Sequence, residues 1–263
     1  MSDRHPDGQI TVEQRGHLYL MGLDRPEKLN GLTPKMFEEM TAAYNELENN
    51  DDLWVGVVFA HGKHFTAGLD LPKFVGAMQS GKSAANISGV DIYGLKNKCT
   101  KPIVTAVQGI TFTAGIEMAL ATDIVIAADD CRFSQLEPKR GIMAAGGATV
   151  RFVQRAGWGN AMYHLLTSDE FNAEEAHRCG FVQEIVPAGQ ELDRAIKLAE
   201  TIATMAPLAV RATKANSMLY IEEGETAAKA AFPATRKRLS GTDDFTEGVA
   251  SFKEKRPPKF TGT

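Results

Sequence analysis

The chain has 263 residues, of which 43% are apolar, 24% charged and 8% aromatic; this excludes disordered, collagen-like and coiled-coil chains and leaves ample surface for a core. Twenty-nine Lys and Arg against 33 Asp and Glu give a net charge of -4, so the molecule as a whole lacks the field that nucleic acid or an anionic membrane selects. Cys99, Cys131 and Cys179 are odd in number and lack a CxxC, which argues against a disulfide framework and a zinc site, and the polar N-terminus and interrupted apolar runs predict a cytoplasmic protein without signal peptide or membrane span.

Apolar runs of strand length alternate with segments of helical period, the pattern of an α/β protein. The first strand is expected at Leu18 to Leu23. Thr33 is placed to cap, and Pro34 to open, a helix whose stripe of Phe37, Met40, Tyr44 and Leu47 reads as core. Further strands are expected at Val55 to Ala60, Ile103 to Val107, Ile124 to Ala127 and Phe181 to Val186. From Leu192 onward almost everything reads as helix, punctuated by Pro207, Gly224, Gly241 and Asp243. The expected organisation is therefore an α/β body over residues 1–191 and a helical region over residues 192–263, joined without a linker, the second either covering the body or binding a neighbouring subunit. Residues 236–263 carry seven Lys or Arg against four Asp or Glu, which would help an anionic ligand, although a solvated helical face is the simpler account.

One internal echo carries information. Phe65-Thr66-Ala67-Gly68-Leu69-Asp70-Leu71 recurs as Phe112-Thr113-Ala114-Gly115-Ile116-Glu117-Met118. Both copies follow a strand candidate and lead towards an apolar or helical segment, which predicts a repeated strand-turn-helix unit. Such a turn leaves backbone N–H groups unpaired and outward, a device for holding negative charge, and small side chains let a ligand approach them.

Two carboxylates stand out. Glu117 lies among apolar residues in Gly115-Ile-Glu-Met-Ala-Leu, where desolvation raises its pKa towards the range useful for proton transfer. Glu137 follows the strand-like segment Cys131 to Ser134 and precedes Pro138 and the Gly-rich segment Gly141 to Gly147; alone it reads as an ordinary loop carboxylate.

Arg25-Pro26 with Asn30, Phe65-Thr-Ala-Gly-Leu-Asp, Ala114-Gly-Ile-Glu-Met-Ala, Asp123, Glu137 and Gly146-Gly147 together resemble the enoyl-CoA hydratase/isomerase (crotonase) superfamily over nearly the whole chain. The resemblance implies a crotonase-like spiral of ββα units followed by a C-terminal helical trimerisation region, hence a homotrimer or homohexamer. It implies an acyl-CoA substrate, coenzyme A being part of the substrate and no further cofactor or metal being required. By position, the N–H groups of Leu69 and Ala114 would form an oxyanion hole for the thioester oxygen, each donor worth roughly 3 kcal/mol. Glu117 would activate water and Glu137 would donate the proton in hydration of a 2-enoyl-CoA. Lys28, Leu29, Ala67, Gly68, Asp70, Leu71, Pro72 and Ala145 would contact the CoA and acyl parts, with Phe252 and Lys255 at the adenosine end. Isomerases of the superfamily typically keep only the equivalent of Glu137, so the presence of both glutamates favours hydration over double-bond shift or other crotonase chemistry.

Three positions depart from the family pattern. The usual triple glycine reads Thr113-Ala114-Gly115, the usual Pro before the second glutamate is Leu136, and the usual Pro-Gly before the last glycines is Ala144-Ala145. These departures are the support for a non-catalytic CoA-binding or interaction protein. A P-loop nucleotide hydrolase is the other rival, since Gly76-Ala-Met-Gln-Ser-Gly-Lys82-Ser83 satisfies the Walker A expression; it lacks the buried strand that must directly precede the first glycine. The segment instead reads as a loop near the acyl pocket. His61 and His64 read as solvated loop residues, having no partner cluster with ligand spacing.

Overall fold

The computed structural model describes residues 5–80 and 89–263. The chain opens with β1 (Gln9–Arg15) and β2 (Leu18–Asp24), then α1 (Pro34–Asn49), β3 (Val55–Ala60) and a short α2 (Val75–Gln79). There follow β4 (Ile103–Val107), β5 (Ile110–Phe112), α3 (Ala114–Ala121), β6 (Ile124–Ala128), β7 (Arg132–Ser134) and α4 (Ala148–Thr167). The remainder is β8 (Phe171–Asn172), α5 (Ala173–Arg178), β9 (Glu184–Val186) and the helices α6 (Glu191–Ala203), α7 (Pro207–Glu223), α8 (Glu225–Ala230), α9 (Phe232–Ser240) and α10 (Asp243–Glu254).

Six strands form one sheet in the order β1-β2-β3-β4-β6-β9, antiparallel only between β1 and β2. A smaller sheet runs β5-β7-β8. The chain passes from a large-sheet strand to the small sheet, through a helix, and back: β4-β5-α3 and β6-β7-α4 are successive turns of this path. The bridge Thr66↔Thr111 extends it to the preceding turn through β3. This is the expected spiral of ββα units.

Parallel strands covered on both faces read as unbroken apolar runs, and β2 illustrates why. Tyr19, Met21 and Leu23 enter one buried cluster with Phe37, Met40, Tyr44 and Leu47 of α1. Leu18 and Leu20 point the other way, into a cluster closed by Ala195 and Ala199 of α6. The Thr33 hydroxyl caps α1 by accepting the Met36 N–H, an interaction typically worth about 1 kcal/mol.

The structure departs from the sequence expectation at three places. β1 has no apolar run because it is an edge strand whose second half is exposed. The strand expected at Phe181 to Val186 shortens to Glu184–Val186, because the Phe181 and Val182 N–H groups both donate to Ala176 O, closing the end of α5. Gly76 to Ser80 of the Walker-like segment, expected as a loop, lie in and just after the helix α2; as expected, no strand directly precedes them, a 3-10 turn over Leu71–Lys73 doing so instead. Lys82 and Ser83 lie outside the described residues.

Candidate active site

The two echoed turns stack on each other. The Thr66 N–H donates to Ile110 O at 3.1 Å and the Phe112 N–H to Thr66 O at 3.0 Å. A Cβ on Gly68 would lie 1.9 Å from Thr113 Oγ1, and one on Gly115 would lie 2.5 Å from Thr66 Cγ2. Glycine at these points is a condition of the contact. Gly68 also holds φ +99°, a conformation that L side chains rarely adopt.

Around these glycines most amides are engaged: Ala67 N–H with Leu29 O, Gly68 N–H with Thr66 Oγ1, Asp70 N–H with Leu32 O. Those of Leu69 and Ala114 have no acceptor among the described residues. Ala114 opens α3, so its N–H has no partner within the helix. Thr113, just before it, sits at φ 50° and ψ -116°, a region glycine occupies with ease and threonine does not.

Glu117, in the first turn of α3, is 4% exposed. Its Oε1 accepts the Ala148 N–H at 3.1 Å. Burial raises its pKa, while the amides of Ala148, Gly146 and Gly147 and the charge of Arg151 oppose the rise. The carboxylate thus sits on the N-terminus of α4, where N–H groups favour negative charge. A Cβ on Gly146 would lie 2.5 Å from Glu117 Oε2 and 2.9 Å from the Tyr93 ring, so this strap too must be glycine.

Glu137 is 7% exposed and stands at the start of the 3-10 turn Pro138–Arg140. Burial pushes its pKa up to about 7, against its own backbone N–H and with the Glu117 charge adding to the rise. The amide nitrogen of buried Gln135, in the orientation its surroundings require, donates to both Glu137 oxygens at 3.0 and 3.3 Å. Tyr93, which the sequence reading missed, stands with them: its ring meets the same Gly146 position as Glu117 Oε2, and burial, then the charges of Glu117 and Glu137, raise its phenol well above the usual range. A tyrosine between Ile92 and Gly94 carries no motif, so nothing in the sequence marked it.

Of the predicted contact residues, Lys28 and Leu29 lie in an exposed turn whose Leu29 O accepts the Ala67 N–H. Leu32 pairs with Leu69 in a short parallel bridge, so this turn and the Ala67-to-Pro72 segment adjoin. The Asp70 carboxylate is held by buried Arg25 at 2.9 Å. Ala145 is exposed next to the Gly146 strap. Phe252 and Lys255 stand apart, on and just after α10, which packs with α9.

His61 and His64 are structural rather than solvated: Thr11 Oγ1 lies 2.8 Å from the His61 ring, and His64 Nδ1 accepts the Ile110 N–H at 3.1 Å. Burial lowers the His64 pKa, consistent with an acceptor nitrogen. His164, Glu175 and Cys179 also converge, with His164 Nε2 3.1 Å from Glu175 Oε1. There the Arg178 guanidinium lies 2.6 Å from Glu175 Oε1 and 3.7 Å from the Cys179 sulfur, and a cation would be repelled.

Residues 13–263 match the family model for enoyl-CoA hydratase/isomerase, and the chain belongs to that family. It is 32% identical over 257 residues to the enoyl-CoA hydratase EchA19 of Mycobacterium tuberculosis, covering 95% of each chain. It is also 32% identical to the carnitinyl-CoA dehydratase of Proteus mirabilis, over 96% of this chain and 98% of that one. Among solved structures, a probable enoyl-CoA hydratase/isomerase from Mycobacterium abscessus superposes with a TM-score of 0.93 at 43% identity, covering 97% of this chain and 98% of the other. The fold is the crotonase fold.

Proposed function

We propose that this protein is an enoyl-CoA hydratase that adds water across the 2,3 double bond of an acyl-CoA thioester. The observation that carries the reading is a pair of buried carboxylates near enough for the charge of Glu117 to raise the pKa of Glu137, each set to its own proton task by its surroundings. At Glu117 the α4 amides and the Arg151 charge oppose the rise that burial brings, which suits it to accept a proton. Glu137, with its pKa near 7, keeps a proton to give.

In the proposed reaction Glu117 takes a proton from water as its oxygen bonds to C3 of the enoyl group. The C2–C3 π electrons move towards the thioester, whose oxygen gains negative charge and is held by the Leu69 and Ala114 N–H groups. Glu137 then delivers its proton to C2, restoring the thioester carbonyl. The two carboxylates exchange charge over the cycle and reset through the next water, so their titration belongs to the pair.

Lys28, Leu29, Ala67, Gly68, Asp70, Leu71, Pro72 and Ala145 line the path assigned to CoA and acyl group, and Phe252 and Lys255 are assigned to the adenosine end. Assembly into trimers, or trimers paired into hexamers, forms part of the same proposal.

Loss of enone absorbance with crotonyl-CoA and longer 2-enoyl-CoA thioesters measures the reaction. Glu117→Gln and Glu137→Gln should each lower kcat by roughly 10² or more, and the double variant should be scarcely worse than either single one. Turnover that survives Glu117→Gln but not Glu137→Gln would favour a one-base isomerase; turnover insensitive to both would refute the carboxylate mechanism.

A further inference from the structure

Arg151, in the first turns of α4, is not among the carboxylates or amides assigned to chemistry, yet it joins the two segments that frame them. Its Nη1 donates to Gly146 O at 3.2 Å. Its Nη2 donates to Tyr93 O at 2.5 Å and to Gly94 O at 3.3 Å. The Gly146 strap holds Glu117, and Tyr93 is the phenol beside both glutamates. Gly147 completes the fit, because a Cβ there would lie 2.2 Å from Arg151 Nη1.

The Tyr93 segment has no regular secondary structure of its own. The Asp91 carboxylate organises it from within, accepting the N–H groups of Tyr93, Leu95 and Lys96. Arg151 is the guanidinium that ties it across to α4. We propose that Arg151 is a positioning residue, whose forked guanidinium fastens the Tyr93–Gly94 segment to the Gly146 strap and so holds Glu117 and the Tyr93 phenol in register with each other.

The fork matters because an ammonium is a single point with no planar span; lysine can keep the charge but not bridge two carbonyl sites in that geometry. The charge matters separately. The ionisable groups acting on Arg151 are Glu117 and Asp91, which favour its charged form against burial, while Arg151 in turn acts on neighbouring Arg155. Around Glu117 the charged partners are Arg151 and Glu137, with Tyr93 neutral in its burial. Removing the Arg151 charge therefore leaves Glu117 harder to ionise, and replacing it by lysine does not.

This inference rests on the proposed hydration for its kinetic readout, and a second readout is independent of it. Side-chain ¹³C NMR of glutamate carboxyls, assigned with Glu117→Gln, titrates Glu117 without substrate. In Arg151→Gln its midpoint should rise by about one pH unit, the acid limb of kcat/KM with crotonyl-CoA should move the same way, and kcat/KM should fall at least about tenfold. In Arg151→Lys the midpoint and limb should stay in place while KM rises at least about threefold. A role confined to stability would lower Tm in both variants and move neither limb nor midpoint, and that result overturns the proposal. If Arg151→Gln does not fold, Arg151→Lys decides, since wild-type KM and kcat there refute the fork. If the wild-type protein turns over no enoyl-CoA, the hydratase reading fails while the NMR titration still judges Arg151.

Discussion

Glu117 and Glu137 are the same residue type, both buried and each within reach of the other's charge, and their partners separate them. Both are raised by burial, but at Glu117 three backbone amides and the charge of nearby Arg151 oppose the rise, whereas Glu137 has the Gln135 amide, its own N–H and the repulsion of Glu117. A folded-state pKa above the unfolded one means that the protonated form is the one the fold favours. The resulting stability is fully present below about pH 4.5 and is lost as pH rises through about 7 for Glu137. Glu137→Gln cannot ionise and escapes this loss. It should match wild type in stability at pH 4 and exceed it at pH 8 by on the order of 1–3 kcal/mol, read from urea denaturation at the two pH values. A variant no more stable than wild type at pH 8 would mean that Glu137 is not strained by ionisation. The sequence marked both residues, Glu117 by its apolar neighbours and Glu137 by family resemblance. It did not mark Tyr93 or Arg151, because Arg151 acts on main-chain carbonyls and Tyr93 reaches the carboxylates from an irregular segment, neither of which leaves a residue pattern.

The turns show how far a pattern of elements can be read. The echo of Phe65–Leu71 in Phe112–Met118 located the two turns, the family resemblance picked out the Leu69 and Ala114 amides within them, and the buried parallel strands announced themselves as apolar runs. The small sheet did so only at β7, read as the strand-like segment Cys131 to Ser134; β5 and β8 are three and two residues long, too short for any periodicity to register. Nor did the sequence disclose that the two turns touch, which is the reason Gly68 and Gly115 are glycines. Thr113 is the point of conflict in this stack. It adopts φ 50° and ψ -116° where the family pattern has glycine, and conformations of this kind cost a non-glycine residue about 1–3 kcal/mol. Glycine gives back roughly 0.5–1 kcal/mol through the unfolded chain. Thr113→Gly should therefore stabilise the protein by about 1 kcal/mol in chemical denaturation. Conversely, Gly68→Ala should destabilise it, because its Cβ meets Thr113 Oγ1, and Thr113→Gly in the same chain should recover part of that loss. Absence of any such coupling between positions 68 and 113 would show that the turns do not bear on each other.

For the whole molecule, the six-stranded sheet needs cover on both faces, and α6 provides the second cover by packing on β3, β4 and β6. The later helices have less to bury, and the apolar surface left over is concentrated. Past a kink at Gly157, α4 turns Ala161, His164 and Leu165 inward, yet its outer face carries Trp158 at 71% and Leu166 at 70% exposure, with Tyr163 beside them. On α10, Phe252 is 86% exposed. A helix apolar on both sides is ordinarily covered on both, and single exposed aromatics are common where a helical face of this composition is not. The covering surface in the proposed assembly is another copy of the chain, so breaking this face should separate the copies without unfolding each. Light scattering at micromolar concentration should give the mass of three or six chains for wild type. Trp158→Glu with Leu166→Glu should bring it towards 28.5 kDa, the mass of one, while circular dichroism retains the wild-type helical signal. A wild-type mass of 28.5 kDa, or an assembly indifferent to two charges on this face, would place the contact between copies elsewhere or remove it altogether.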